Sequence, residues 1–217
     1  MVKKKLNEII LYFSIFFLRI AVKLNLSYLA ALILFINLRR VKKIYTQEIN
    51  KKIIILSKRG GFEDILSAYR SSEKNNSIGY YTLPRILIKI IFYKFLKNEK
   101  YKDFLTIDFN ESVKRKKKDY KLFTKNTFLK LNKFWKFNAV VGFNPFYYAE
   151  HDLAEPIKDI GKKFLIIHKE SVNSPEGNIE DLKIYRDQNK KHLADKVAVY
   201  CEYEKKKLID SNFLEPN

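Results

Sequence analysis

The chain has 217 residues, of which 43 are Lys or Arg and 24 are Asp or Glu, so it carries a formal charge of +19 at pH 7. Hydrophobic residues make up 47% of it and aromatic residues 15%, which excludes a disordered basic tail and allows one domain with or without an extension. The single cysteine, Cys201, excludes an intramolecular disulfide and a zinc site built on cysteines. With three histidines besides, we expect no metal site.

Residues 1–45 form a first unit, in which an apolar stretch lies between two basic clusters, residues 3–5 and 39–43. Arg19 and Lys23 divide the stretch into two runs, which as helices are about 15 and 22 Å long, against roughly 30 Å for the hydrocarbon core of a bilayer. The pattern predicts a membrane-associated helical segment that lies in or dips into the cytoplasmic leaflet. A cleaved signal peptide and a helical extension packed on the protein's own core stay open as alternatives.

Beyond residue 50, short apolar runs alternate with helical patterns. Continuous apolar strands separated by helices are typical of a parallel sheet covered on both faces. The sequence therefore predicts one α/β domain over residues 51–217, with a doubly wound, mostly parallel Rossmann-like sheet of about six strands. The predicted strands are 53–56, 78–82, 104–107, 139–143, 164–167 and 197–200, and the predicted helices are 63–71, 84–96, 112–135, 147–160, 179–191 and 202–210.

The loop after the first predicted strand carries two adjacent glycines, Gly60 and Gly61. Ligands bind at the carboxyl ends of the strands in an open parallel sheet, and adjacent glycines let the backbone turn tightly and approach a ligand. The loop matches neither the P-loop nor the dinucleotide-binding pattern. Asp64, which follows, is either a catalytic candidate or the cap of the next helix.

The helix predicted after Pro84 is apolar along its whole length, yet it carries Arg85, Lys89 and Lys94. An apolar body with cations suits the interface of an anionic bilayer, where lysine stems extend toward the headgroups. These three residues are therefore predicted to bind a membrane. The alternative is a core helix held between the sheet and the N-terminal segment.

A basic run, residues 114–118, lies in the following predicted helix near Tyr120 and Phe123. Such a run would supply phosphate contacts and stacking for a nucleic acid. Only eight of the 43 basic residues are Arg, however, and proteins that read nucleic acids use Arg as well as Lys. We expect no specific nucleic acid partner, and interpret the charge as compositional background plus attraction to an anionic membrane face.

Tyr148 and His151 follow the fourth predicted strand, at the start of a predicted helix. Side chains of these types could line a sugar or nucleoside site. Equally, residues three apart share one face of a helix and could simply pack. The sequence leaves both interpretations open.

A polar cluster follows the fifth predicted strand. His168 or Glu170 is a candidate general base there, with Lys169 as a cation and Ser171 as a hydroxyl. The alternative is a histidine that is hydrogen-bonded to a neighbouring loop. After the last strand, we expect Cys201 to be a small buried residue rather than a nucleophile.

Three stretches of the sequence, residues 143–154, 163–171 and 195–200, resemble the N-terminal half of bacterial GT-B glycosyltransferase-like proteins of surface-carbohydrate biosynthesis. The resemblance covers roughly residues 51–217. It implies a fold of two Rossmann-like domains facing a cleft, in which this half binds the acceptor and the other half binds the nucleotide-sugar donor. It also implies docking on a membrane through a basic, apolar patch, no metal, and no cofactor besides the nucleotide-sugar co-substrate.

The resemblance further implies roles for single residues. In inverting members of the family a carboxylate or a histidine deprotonates the acceptor hydroxyl, and by position Glu63 and His168 are the candidates. Gly60 and Gly61 would let the backbone approach the acceptor or the donor's phosphates. The other implied substrate-binding residues are Tyr148, His151, Lys169, Glu170 and Ser171.

The function expected from these features is that of a glycosyltransferase-like protein at the cytoplasmic face of the inner membrane. A lipid-linked or carbohydrate acceptor and an anionic membrane surface are the expected partners. Because the sequence contains no donor-binding half, we also expect a separate donor-binding domain and no transferase activity from this chain alone. One alternative is a catalytically inactive, truncated protein that acts as a scaffold in polysaccharide assembly. A basic nucleic-acid-binding protein is the second, less favoured alternative.

Overall fold

A computed structural model describes residues 2–41, 49–57, 78–96, 111–144, 148–168, 192–199, 201–211 and 213–214, without the side chains of residues 2–5 and 148. Two helices come first, α1 (Val2–Lys23) and α2 (Ser27–Ile36). The strands are β1 (Arg39–Arg40), β2 (Lys51–Ser57), β3 (Ile78–Pro84), β4 (Ala139–Gly142), β5 (Lys163–Ile167) and β6 (Lys196–Ala198). The later helices are α3 (Arg85–Leu96), α4 (Glu111–Phe134), α5 (Tyr148–His151), α6 (Ala154–Asp159) and α7 (Glu202–Asp210).

The strands form one sheet in the order β1-β3-β2-β4-β5-β6. Every neighbouring pair is parallel except β1 and β3, in which Arg39 lies opposite Thr82. Within the described residues, this confirms the predicted α/β class with a mostly parallel sheet of six strands. The strand order reverses between β2 and β4, because β3 lies on one side of β2 while β4, β5 and β6 follow on the other.

The central strands are buried on both faces of the sheet. Successive residues of a strand point to opposite faces. Ile54 and Val140 belong to the main core cluster, whereas Ile55 and Val141 pack with Phe143 in a smaller cluster. This burial on both sides is the reason why these strands are continuous apolar runs in the sequence.

The sixth strand of the described sheet is β1, which the sequence pattern did not predict. The predicted strand 104–107 lies outside the described residues, as do the predicted helices 63–71 and 179–191. β1 pairs with β3, and beyond it the Val41 N–H donates to the Tyr80 carbonyl (3.0 Å). Two arginines carry no apolar strand pattern, and charged side chains are common on short strands at the edge of a sheet.

The helix predicted over residues 147–160 is two short helices, α5 and α6. Pro156 lies in the first turn of α6, and it has no N–H to bond to the carbonyl of residue 152, which disfavours one continuous helix through this point. The interruption places Asp152 and Leu153 between the two helices, and both side chains are buried. The helices predicted over 84–96, 112–135 and 202–210 are confirmed as α3, α4 and α7.

The helices α1 and α2 pack on the rest of the protein. Leu18 of α1 and the α2 residues Ala30 and Leu34 belong to the same core cluster as the central strands. Asn37, just after α2, is buried and donates a hydrogen bond to the Ser14 hydroxyl of α1 (2.7 Å). The inner sides of both helices thus form part of the protein core. In the described part of the chain, no helix combines the length and the apolar character that crossing a bilayer requires.

Candidate functional site

The carboxyl edge of the sheet, where the strand order reverses between β2 and β4, is the expected ligand position in a sheet of this kind. On one side of it, β2 ends at Ser57, whose hydroxyl donates to the Leu83 carbonyl (3.2 Å). Gly60, Gly61 and Glu63, which the sequence predicts for this site, lie outside the described residues. The turn after β4 forms the other side of the position and is described.

One buried carboxylate, that of Glu150, holds the turn after β4. Its Oε2 atom accepts hydrogen bonds from the backbone N–H groups of Phe143 (2.8 Å) and Asn144 (3.2 Å). Its Oε1 atom forms an ion pair with the guanidinium of Arg85, the first residue of α3. Glu150 is fully buried, and a Cβ atom on Gly142 would lie only 2.6 Å from Oε2. A glycine at position 142 is what lets the carboxylate approach the turn.

The three cations of α3 that the sequence predicts for membrane binding lie in different surroundings. The side chain of Arg85 is only 15% exposed because it pairs with Glu150 inside the protein. The ammonium of Lys89 lies over the Tyr93 ring, 5.4 Å from its centre, and Lys94 is exposed. Helix α3 buries apolar side chains and contacts α1 and α4, which agrees with the alternative prediction that it is a core helix. Arg85 thus forms an internal ion pair, and membrane binding by the three cations stays a prediction.

A second buried ion pair joins Lys117 of α4 to Asp152, with 3.3 Å between Nζ and Oδ2. His151 Nδ1 lies 3.3 Å from the other oxygen of the same carboxylate. Burial raises the pKa of Asp152, but the hydrogen bond with His151 and the charge of Lys117 outweigh it and hold the pKa at about 2. Asp152 is therefore ionised at neutral pH.

The three histidines of the chain lie in two places. The rings of His151 and His192 meet edge to face with 5.0 Å between their centres, so His151 packs against another ring. His192, which no sequence motif distinguished, is buried and accepts a hydrogen bond at Nδ1 from the Ala194 N–H (2.9 Å). His168 is buried at the end of β5, where its backbone N–H donates to the Ala198 carbonyl of β6 (2.8 Å). His168 thus lies at the predicted edge of the sheet.

The remaining predicted site residues are described only in part. Tyr148 begins α5, at the position that the sequence predicts for it. Lys169, Glu170 and Ser171, the rest of the predicted cluster around His168, lie outside the described residues. Cys201 is exposed at the N-cap of α7, which corrects the prediction of a buried residue, because this position lies outside the helix body whose Leu208 faces the core.

A small cavity of about 190 Å³ lies against the edge strand β6 and helix α7. Its charged lining residues are Asp195, Lys196 and Lys205, and His192 also borders it. None of the residues that form the turn after β4 lines this cavity. It is therefore a separate feature from the candidate ligand position at the strand-order reversal.

The outward side of α1 is an apolar surface, which we call the α1 outer face. Its residues recur at spacings of three and four, which places them on one side of a helix. The opposite side of α1 is buried in the core, so apolar side chains lie on both sides of this helix. Exposed contiguous apolar surfaces mark interaction sites. The face consists of six side chains that are 48% to 74% exposed, those of Leu6, Ile9, Tyr12, Phe13, Phe16 and Phe17.

Lysines of the basic helix α4 pair with carboxylates of the neighbouring segment around α6. Beyond the Lys117–Asp152 pair, Lys121 bonds to Glu155 (2.6 Å). One further turn along, Lys125 bonds to Asp159 (2.9 Å). The lysines are spaced by four residues, so one face of α4 presents all three to α6. These ion pairs connect α4 to α6 and to the segment just before it.

The described residues contain no group of three or more His, Cys, Asp or Glu side chains that could hold a metal ion. Comparison of the chain with models of known protein families, with curated proteins and with solved structures finds no match. The fold and surface therefore define the class: an α/β protein with a mostly parallel sheet and an apolar outer helix face. Its function has to be inferred from its own residues.

Proposed function

We propose that this protein works at the surface of an anionic membrane as a glycosyltransferase-like, Rossmann-like unit that binds a carbohydrate acceptor. In this proposal the protein is located at the cytoplasmic face of the inner membrane and takes part in the synthesis of cell-surface carbohydrate. The observation that carries the proposal is the α1 outer face. An apolar surface of this kind on a rigidly packed helix requires a partner that removes it from water.

The apolar side chains of the α1 outer face favour insertion into the headgroup region of a bilayer. Full burial of a Leu, Ile or Phe side chain contributes about 1.5–3 kcal/mol, so six roughly half-exposed side chains offer on the order of 5 kcal/mol. Part of this is offset by the loss of free motion on binding. The remainder is typical of reversible attachment by a helix that lies in the plane of the interface.

The charges near the α1 outer face suit an anionic surface. Arg19 and Lys23 are exposed on the same helix, where Glu8 is the one acidic residue. The sequence adds three lysines at positions 3–5, directly before the apolar part. Each Lys or Arg near an anionic membrane contributes about 1 kcal/mol of attraction. This combination of apolar body and cationic flank favours a lipid surface over a second copy of the same positively charged chain.

The carbohydrate part of the proposal is supported by the strand order and by the resemblance to GT-B proteins. The reversal between β2 and β4 is the position at which doubly wound sheets bind their ligands. In the proposed site, Glu63 or His168 deprotonates the acceptor hydroxyl, Gly60 and Gly61 approach the acceptor, and a donor-binding domain supplies the nucleotide-sugar. A lipid-linked acceptor would place this chemistry next to the membrane to which α1 attaches.

The test is co-sedimentation with vesicles of phosphatidylcholine, with and without phosphatidylglycerol. We expect the protein to bind the anionic vesicles, and the variant Phe13→Glu/Phe16→Glu to lose at least tenfold in affinity, since two aromatic rings are replaced by charges in the interface. The matched control is Leu122→Glu/Tyr203→Glu, which makes the same charge change at two exposed apolar residues away from α1. The control is expected to bind like the unchanged protein.

Two results would contradict the membrane proposal. One is equal loss of vesicle binding in both double variants, because net charge rather than the α1 outer face would then decide it. The other is a dimer in solution, measured by light scattering, that Phe13→Glu/Phe16→Glu dissociates; a second copy would then be what covers the face. Transfer of sugar or binding of glycans is measured separately, with the chain combined with its donor-binding partner.

A further inference from the structure

The turn after β4 directs two successive backbone N–H groups, those of Phe143 and Asn144, toward a single oxygen. N–H groups at this position of an open parallel sheet are the ones that commonly receive a ligand phosphate. Here the oxygen is Oε2 of Glu150, at 2.8 and 3.2 Å. The place of a ligand anion is thus taken by a side chain of the protein itself.

The position of the Glu150 carboxylate is built into the fold. Its side chain has no exposed surface, its other oxygen pairs with Arg85, and its approach to the turn depends on the missing Cβ of Gly142. Arg85 comes from the end of β3 and Glu150 from the helix after β4, so the pair joins two loops of the same sheet edge. A carboxylate held by two N–H groups and a guanidinium is not readily displaced.

Two buried ion pairs lie in the described part of this region. Arg85 balances Glu150, and Lys117 balances Asp152. A phosphate entering here would find the two N–H groups occupied and no uncompensated cation among these four residues. Asn144, in contrast, is partly exposed, and its side-chain amide can both donate and accept a hydrogen bond, as a hydroxyl group requires.

We infer that Glu150 is a positioning residue that supplies the anion of this site from within the protein, and that the turn after β4 takes an uncharged, hydroxyl-bearing ligand in place of a phosphate. The inference rests on the proposed function and names its ligand class, a neutral carbohydrate. Glu150 acts through the turn and through Arg85, both of which it holds in place.

The test removes the Glu150 carboxylate and adds a small anion to the solution in its place. Glu150→Ala leaves the N–H groups of Phe143 and Asn144 and the Arg85 guanidinium facing an empty space. We expect this variant to have a lowered Tm, of which formate or inorganic phosphate restores about half, because an ion that binds only the folded state stabilises it. The matched control is Glu155→Ala, which removes a half-exposed carboxylate of the neighbouring helix and is expected to show no more anion dependence than the unchanged protein.

The amide signals of Phe143 and Asn144 in NMR spectra report on the same turn directly. In the unchanged protein they are expected to stay in place when phosphate is added, and in Glu150→Ala they are expected to shift. Phosphate-induced shifts at these two amides in the unchanged protein would overturn the inference, and so would a Glu150→Ala variant with no anion-dependent recovery.

A second variant keeps the inference testable if Glu150→Ala does not fold. Glu150→Gln retains an acceptor oxygen but removes the charge, so the hydrogen bonds from the turn are expected to weaken and the amide protons of Phe143 and Asn144 to move upfield. Unchanged proton shifts would contradict a role for the charge. The outcome is independent of vesicle binding: failure to bind vesicles refutes the proposed function alone, and failure of the anion experiments refutes this inference alone.

Discussion

Lys117 and Asp152 form an ion pair in which both side chains are at most 6% exposed. Lys117 lies on the long helix α4, and Asp152 lies where Pro156 interrupts the following helix pair. The pair joins α4 to the segment between α5 and α6, which follows strand β4. The lowered pKa of Asp152 makes this ion pair sensitive to acid.

Asp152 is expected to make folding stability fall in acid. Its pKa is about 2 in the folded protein, below the ordinary value of 3.8, so its contribution is fully present above about pH 5 and is lost as the pH falls toward 2. A depression of this size corresponds to about 2 kcal/mol. Urea unfolding between pH 6 and pH 3 should show the stability difference between the unchanged protein and Asp152→Asn shrinking as the pH falls.

The control for this pH series is Asp159→Asn, at the end of the same row of ion pairs. The Asp159 side chain is 43% exposed, so its pair with Lys125 contributes under about 1 kcal/mol. Its stability difference should be small at every pH. A difference for Asp152→Asn that does not change with pH would contradict the assignment of the acid sensitivity to Asp152.

Removal of Lys117 alone is expected to destabilise the protein strongly. In Lys117→Met the Asp152 carboxylate stays buried without its cation, which typically costs about 3–5 kcal/mol. The double variant Lys117→Met/Asp152→Leu replaces both charges by apolar groups, and we expect it to recover most of the loss. Chemical denaturation of the three proteins gives the coupling energy, and a double variant no more stable than Lys117→Met would refute the prediction.

Substitution of Gly142 is expected to disturb the turn through Glu150. A Cβ atom at this position would lie 2.6 Å from Oε2, so Gly142→Ala should cost about 1–3 kcal/mol as the carboxylate is pushed from its N–H donors. The same substitution in a Glu150→Ala background should cost less, because the clashing group is gone. Thermal unfolding of the unchanged protein, the two single variants and the double variant tests this. An equal loss of stability from Gly142→Ala in both backgrounds would show that the substitution does not act through Glu150.

The cations of α1 are expected to tune attachment to anionic vesicles. Arg19→Gln/Lys23→Gln should lower the affinity about thirtyfold, since each of the two cations near the surface contributes about 1 kcal/mol, and it should reduce the salt dependence of binding. The control is Lys118→Gln/Lys133→Gln, which removes two exposed cations of α4. Vesicle titrations at low and physiological salt measure both, and equal losses would argue against a defined membrane face on α1.

Sequence patterns located the elements whose burial is uniform along the chain. The runs over 53–56, 139–143 and 164–167 are strands of the structure, because strands covered on both faces are apolar at every position. The ends of helices α3, α4 and α7 were predicted to within one residue. Their signals, a helical period and a residue that begins or ends a helix, depend only on residues close together in the sequence.

The candidate site was less accessible to sequence reasoning. Glu150 lies in a polar segment that the sequence analysis singled out. Its ion pair with Arg85, however, joins residues 65 positions apart, and no local sequence pattern predicts such a contact. Gly142 offered the one signal, a glycine at the end of a buried strand, which indicates a close approach by another group. The ion pair of Arg85 was not predicted for a corresponding reason, because the composition of a helix does not show which of its side chains face the core.

By itself the sequence determined the α/β class, the parallel sheet and the apolar, basic character of the N-terminal segment, because these depend on composition and on spacing within an element. Only the tertiary structure decided that β1 joins the sheet as an edge strand, and that Glu150 fills the turn after β4. It also decided that α1 covers the core with one side and exposes the other. Each of these depends on which distant segments meet, and that is set by the order of the strands and the packing of helices upon them.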